Sequence, residues 1–290
     1  PDSVEWNPVD QQWNEARPFP RGDSCKGEKI DLVLTMASKA RDVPNETGQA
    51  FAGSFGYVVD RNRKDVRYEV LFNRTEFEYI IDGDRAATRN ITPGGPSKNG
   101  KLLPVKFPDN RTDSKWNVGA IEIKSAWKEL CVGQDCNYAD ASSLKEAQKK
   151  FYVRNLLIYD EVNDSCRRAD MALIGLHVIH KTHFAPQWIW LTFEHKGNVP
   201  DSPVAEEDYT FFDPKHPPDN SLCFKLPFLS ENDSVIFCPN VDLNRFKFRD
   251  QPNQLTRLMP IDTIAESLNT RFSDLYTRYD SPLANYKLVN

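Results

Sequence analysis

The residues of this chain best suited to chemistry are histidines. There are five, and four of them, His177, His180, His183 and His195, fall in one stretch from Gly175 to His195. Pro186 and its neighbours read as a turn between two strands. With the turn centred near residue 186, His177 stands opposite His195, and facing Cβ atoms on paired strands are about 4.5–5.5 Å apart. Two imidazoles so placed can share a transition metal such as Zn, Cu, Fe or Ni, or face a non-covalent haem. An open coordination position would permit redox or Lewis-acid chemistry. Period-two alternation puts His183 with His177 and turns His180 to the other face, so His180 and His183 are the weaker ligands. A third ligand would come from Glu122, Asp160, Asp170 or Glu206, and the spacing selects none of them. Glu194 precedes His195 and points the opposite way, toward Lys181 or His180. It is the candidate carboxylate if the chain is a glycan-active hydrolase, which needs a facing pair of acids. The competing reading is plain: strand histidines commonly hydrogen-bond a carbonyl or carboxylate in a packed interior.

Other catalytic signatures are missing. The sequence has no Gly-rich phosphate loop, no G-x-S-x-G, no C-x-x-C and no C-x-x-C-H, so it offers no covalent haem attachment site. Arg21-Gly-Asp-Ser24 spells an integrin-type tetrapeptide, but Gly-Asp is ordinary turn chemistry.

Six cysteines and six N-x-S/T sequons speak to compartment. The natural pairs by loop length are Cys131–Cys136 and Cys223–Cys238, which leaves Cys25–Cys166, among the fifteen connectivities six cysteines allow. The sequons are at Asn45, Asn73, Asn90, Asn110, Asn163 and Asn232, each in a polar, turn-like stretch where a glycan can be solvated. Together these features predict a secreted, extracellular glycoprotein, or a periplasmic or cell-surface protein in a bacterium. The start at Pro1 without Met reads as a processed or trimmed end.

The elements that must position these residues are mainly strands. Ile30–Met36 reads as a buried strand. Over Arg63–Phe72, Val66, Tyr68, Val70 and Phe72 alternate with Arg67 and Glu69, the pattern of a half-buried strand. Asn73-Arg-Thr-Glu76 is a cap with an acid three residues on, and predicts a short helix over 74–82. Further strands are expected near 103–107 and over 120–127, 151–160, 171–182 and 188–195, with a small polar helix over 142–150. Residues 197–256 read as long loops. After Pro260 an amphipathic helix is predicted over 261–278, with Ile261, Ile264, Leu268, Phe272 and Leu275 on one stripe. Residues 1–28 read as an irregular N-terminal arm and 29–290 as one β-rich, sandwich-like domain with long loops.

With 290 residues, 39% hydrophobic and 27% charged, the chain can bury a full core. Its net charge of −5, with both signs interspersed, argues against nucleic acid as a partner. No run of about 18 apolar residues is present to span a membrane.

Six blocks carry a resemblance. They are Val66-Arg-Tyr-Glu-Val-Leu-Phe-Asn-Arg-Thr-Glu-Phe-Glu-Tyr-Ile80, Gly119-Ala-Ile-Glu-Ile-Lys-Ser-Ala-Trp127, Ala172-Leu-Ile-Gly-Leu-His-Val-Ile-His-Lys-Thr182, Gln187-Trp-Ile-Trp-Leu-Thr-Phe-Glu-His195, Gln254-Leu-Thr-Arg-Leu-Met-Pro-Ile261 and Tyr286-Lys-Leu-Val-Asn290. In this order, over roughly residues 55–290, they resemble a family of secreted, mostly bacterial proteins described as uncharacterised or cytochrome-c-like. The resemblance implies a haem segment of the form C-x-x-C-H beyond the matched region, which this chain lacks. It also implies that His177, Glu194 and His195 belong to a site. Three functions follow as expectations: a metal- or haem-linked redox protein, a non-enzymatic extracellular glycoprotein that self-assembles or binds a surface ligand, and a glycan-active hydrolase.

Overall fold

The computed structural model describes residues 58, 60–62, 64, 66–82, 107–109, 118–133, 138–160, 165–185, 187–201, 209–214, 255–257 and 259–289, together with the backbone of seven short strand segments elsewhere. The protein is mostly β. Its main sheet has seven strands: β1 (Val33–Leu34), β2 (Arg67–Phe72), β3 (Ile121–Leu130), β4 (Val153–Asp160), β5 (Ser165–His180), β6 (Ile189–His195) and β7 (Tyr286–Leu288). The helices are α1 (Arg74–Asp82), α2 (Ala141–Gln148) and α3 (Thr263–Arg278). The strand order is β7-β6-β5-β3-β2, with β4 also on β5 and β1 parallel to β4; every other pairing in the sheet is antiparallel. Three two-stranded ribbons lie apart from it, Glu5–Asn7 with Gln12–Asn14, Phe224–Pro227 with Ser234–Phe237, and Val241–Asp242 with Lys247–Phe248. The expected irregular arm and the long loops of 197–256 therefore carry short strands. Among the described residues there is one large sheet, and not the two stacked sheets of the expected sandwich. No helix among them is long and apolar enough to cross a membrane.

The sheet forks on β5. At 16 residues this strand is about three times the usual length, and one neighbour cannot follow its whole twisted edge. On one side it pairs with β3. On the other, β4 pairs with 165–172 and β6 pairs with 175–180. A bulge falls in the gap. Ala126 pairs with Gly175 but Trp127 pairs with Leu173, so Ile174 is the extra residue. The backbone groups stranded there are recovered one by one, as buried polar groups require. Leu173 N–H donates to Tyr152 O (2.9 Å). Tyr286 Oη donates to Leu173 O (2.7 Å) and accepts from Tyr152 N–H (3.0 Å). Asn198 Nδ2 donates to Ile174 O (2.7 Å).

The two sides of the sheet hold separate apolar clusters. Trp127, Leu156, Ile158, Ala169, Met171 and Leu173 fill one, with Tyr286 against it. Val58, Val66, Leu130, Phe151, Ala172 and Ile174 are among those that fill the other. Burying the Val, Leu, Ile, Met and Phe side chains among them stabilises the fold by about 1.5–3 kcal/mol each.

α3 leaves much of its apolar stripe exposed. Its start is set by Asp262, which accepts from Ile264 N–H (2.8 Å). Ala265 is buried on the docked face, but Ile264 is 72%, Phe272 50% and Leu275 43% exposed. The helix is fastened by polar groups instead. Asn269 Nδ2 donates to Leu288 O (2.8 Å) and its Oδ1 accepts from Leu288 N–H (2.6 Å), and Ser273 Oγ donates to Ala284 O (3.3 Å). β7 is an edge strand, and its backbone groups require partners more than the helix requires an apolar seat.

Candidate functional site

The expected histidine pair does not form. β5 pairs with β6 in a register that places His177 opposite Thr192 and His180 opposite Ile189. The turn is thus centred between residues 184 and 185, not at 186, and the partner of His177 moves by three positions. An odd shift also reverses the face, so His177 and His195 point to opposite sides of the sheet. His177 Nδ1 lies 2.9 Å from Thr192 Oγ1, with burial and the Lys124 ammonium both pushing its titration down. His180 Nε2 lies 2.5 Å from Val118 O, and the His183 ring lies 5.0 Å from that of Phe184. Among the described residues no three His, Cys, Asp or Glu side chains group in a way that could hold a metal ion.

His195 is buried where β6 ends at the fork. Its Nε2–H donates to Lys150 O (3.1 Å) and its Nδ1 accepts from Gly197 N–H (3.0 Å). Both ring nitrogens are used, which fixes a neutral imidazole as the Nε2–H tautomer. The ring stacks on Phe151 at 3.9 Å and meets Tyr286 edge-on at 5.3 Å. Burial pushes its pKa down to about 4, outweighing the bond to Lys150 O, and Lys128, Lys150 and Lys196 add to the depression. Glu194 is also committed. Its carboxylate pairs with Arg257 and lies 3.4 Å from Lys287 Nζ, and Arg257 Nε reaches Asp201 at 2.8 Å. Its partners are therefore Arg257 and Lys287, rather than the Lys181 or His180 the sequence favoured.

Beside the fork lies a cavity of about 470 Å³. Its wall is a backbone ladder: Arg61 N–H donates to Thr210 O (2.9 Å), Thr210 N–H to Gly197 O (2.9 Å) and Phe211 N–H to Asn198 O (3.0 Å). The fully buried Asp60 turns the chain at the rim, accepting from Asn62 N–H (2.8 Å) and Lys64 N–H (2.9 Å). α2, capped by the reciprocal Asp140–Ser143 pair, supplies Ser143, Glu146 and Ala147 to another side.

Lys128 is the central group of this cavity. It sits on β3 between Ala126 and Leu130, facing the second apolar cluster, and is 6% exposed. Nζ donates to Thr210 Oγ1 (3.0 Å) and lies 4.4 Å from the Phe151 ring centroid. Desolvation lowers its pKa to about 8, against the pull of the Asp60 carboxylate and with some help from Arg61. Among the described residues no carboxylate forms an ion pair with Lys128 or Lys150, although the Asp60 carboxylate pulls on Lys128, and Arg61 and Glu146 also line the cavity. Sequence reasoning passed over Lys128, although its place in the alternation Ala126–Lys128–Leu130 is that of an inward residue.

Two further expectations find positions. Cys131 and Cys166 are both disulfide-bonded. Cys25, Cys136, Cys223 and Cys238 lie outside the described residues, so each expected pairing includes at least one of them. Of the six sequons only Asn73 is described. Its Nδ2 donates to Gly119 O (2.7 Å), and its Oδ1 accepts from Glu76 N–H (3.1 Å) and Ile121 N–H (3.2 Å), so its amide pins α1 to β3. Asn45, Asn90, Asn110, Asn163 and Asn232, with the strand expected near 103–107 apart from Phe107, lie outside the described residues, as does Glu206. No family model, no curated protein and no solved structure matches this chain.

Proposed function

We propose that the protein is a secreted, non-enzymatic extracellular glycoprotein that binds a small ligand in the cavity at the sheet fork. The observation that carries this is the cavity itself: about 470 Å³, walled by a backbone ladder and holding a buried lysine with no carboxylate in ion-pair contact among the described residues. Small-ligand sites are concave, pre-formed and about 300–1,000 Å³, with a few placed polar groups. The disulfide-bonded Cys131 and Cys166 and the sequons support an oxidising compartment. The redox and hydrolase alternatives have less support. They depended on His177 meeting His195 and on an available Glu194, and those side chains are spent on other partners.

Thermal unfolding of the protein against a panel of millimolar metabolites and mono- and oligosaccharides tests the proposal. At least one compound is expected to raise the midpoint in a saturable manner. Asn62→Trp, which places an indole at the rim, is expected to abolish the shift with the unliganded midpoint retained. A panel without a single binder, or a ligand still bound after Asn62→Trp, would overturn it.

A further inference from the structure

We propose that the ligand is a hydroxylated organic anion of sugar size, whose carboxylate or phosphate sits against Lys128 and Lys150. This ligand class rests on the binding function proposed above and adds to it. An ammonium 6% exposed and without an ion-pair partner among the described residues is costly to hold, and an incoming anion would relieve that cost. The charge is local, because Lys128 and Lys150 line one cavity of a chain whose net charge is −5, and Glu146, which lines it too, is paired with Lys149. His195 senses the same field: Lys128, Lys150 and Lys196 all disfavour its protonation. Away from the lysines the wall changes character. Tyr209 offers a hydroxyl, Asn62 an amide, and Tyr138 an aromatic ring. That combination suits a ring bearing several hydroxyl groups better than a bare inorganic anion.

Calorimetric titration of the whole protein with glucuronate, glucose 6-phosphate, glucose and inorganic phosphate is the test. One or both of the sugar anions are expected to bind at least tenfold more tightly than glucose or inorganic phosphate, and which one binds better separates carboxylate from phosphate. Lys128→Gln should weaken that binding at least tenfold. Lys150→Gln gives the same reading if Lys128→Gln fails to fold. Affinity of the unmodified protein should also fall about tenfold from pH 7 to pH 9, as Lys128 loses its proton near pH 8. Around it, His195 is already neutral, Tyr138 titrates above its usual value and Glu146 is held below its usual range, while the Asp60 carboxylate and the Arg61 guanidinium are the charges that act on Lys128 itself. Glucose binding as tightly as the anions, or an affinity indifferent to both lysines, would overturn the anion class and leave the binding function standing. If none of the four binds, the anion class fails, and only the wider panel decides the binding function.

Discussion

At the residue scale, His195 shows how far its chemistry was legible. The sequence marks it as a strand histidine with two readings, metal ligand or satisfied core residue. What decides between them is the register and the Lys150 carbonyl, and that carbonyl comes from a segment 45 residues away. No local pattern announces such a partner. Lys128 was hidden for a related reason. Lysine on a strand ordinarily faces water, and only the closing of residues 209–212 over β3 makes it a buried cation. Both ring nitrogens of His195 being bonded gives a firm expectation. In a proton NMR titration, the ring is expected to remain neutral down to about pH 4, with the Nε2–H resonance slow to exchange at pH 7. A midpoint near 6.5 would mean that the ring is solvated and the fork is not closed as described.

At the scale of elements, what could be read from sequence was existence and type. The helix expected over 74–82 is α1 at Arg74–Asp82, and the strands expected over 151–160 and 188–195 are β4 and β6 within two residues. The long β5 was seen only in part, from Met171. Its first half, Ser165–Asp170, carries Arg167, Arg168 and Asp170, and lacks the apolar run that marks a strand. Its polar residues are accommodated by partners, with Arg167 bidentate on Glu129 at 2.6 and 2.5 Å and Asp170 Oδ1 accepting from Asn155 Nδ2 at 2.8 Å. Periodicity reports an apolar stripe on α3 and says nothing of what an edge strand needs, so it does not give the docked face. Which face docks is measurable. Asn269→Leu, which looks conservative for a helix packed on a sheet, is expected to destabilise by about 1–3 kcal/mol, since Leu288 loses a partner for both its N–H and its C=O. Phe272→Ser, on the exposed stripe, is expected to fall within about 0.5 kcal/mol of the parent. Urea melts of the two variants decide it; a large loss at Phe272 with none at Asn269 would mean that the apolar stripe is the docked face.

At the scale of the whole molecule, three buried ionisable groups among the described residues have large shifts that make stability vary with pH, and their signs differ. His195 titrates near 4 in the folded protein against 6.5 unfolded, so its contribution is complete above pH 6.5 and lost as pH falls toward 4. Glu76 behaves oppositely. It is 5% exposed, its Oε2 has no hydrogen-bond partner among the described residues, and burial and the nearby Glu122 raise its pKa to about 7 from 4.5. Folded Glu76 holds its proton longer than the unfolded chain, so stability falls as pH rises from 4.5 to 7. Lys128 titrates near 8 against 10.5, so its unfavourable burial as a cation is complete below pH 8 and is relieved as pH rises toward 10.5. Each shift corresponds to about 3 kcal/mol at most, at roughly 1.4 kcal/mol per pH unit. Between pH 4.5 and 6.5 the His195 and Glu76 contributions run in opposite directions and largely cancel, so the parent is expected to vary little there from these groups. Glu76→Gln removes one of the two. Relative to the parent, that variant should gain stability steadily from pH 4.5 to 7, by about 1–3 kcal/mol, and then hold the gain to pH 8. Chemical denaturation at five pH values across that range measures the difference directly. A difference between Glu76→Gln and the parent that does not change with pH would mean that Glu76 is ionised in the folded protein throughout, and that its carboxylate has a partner.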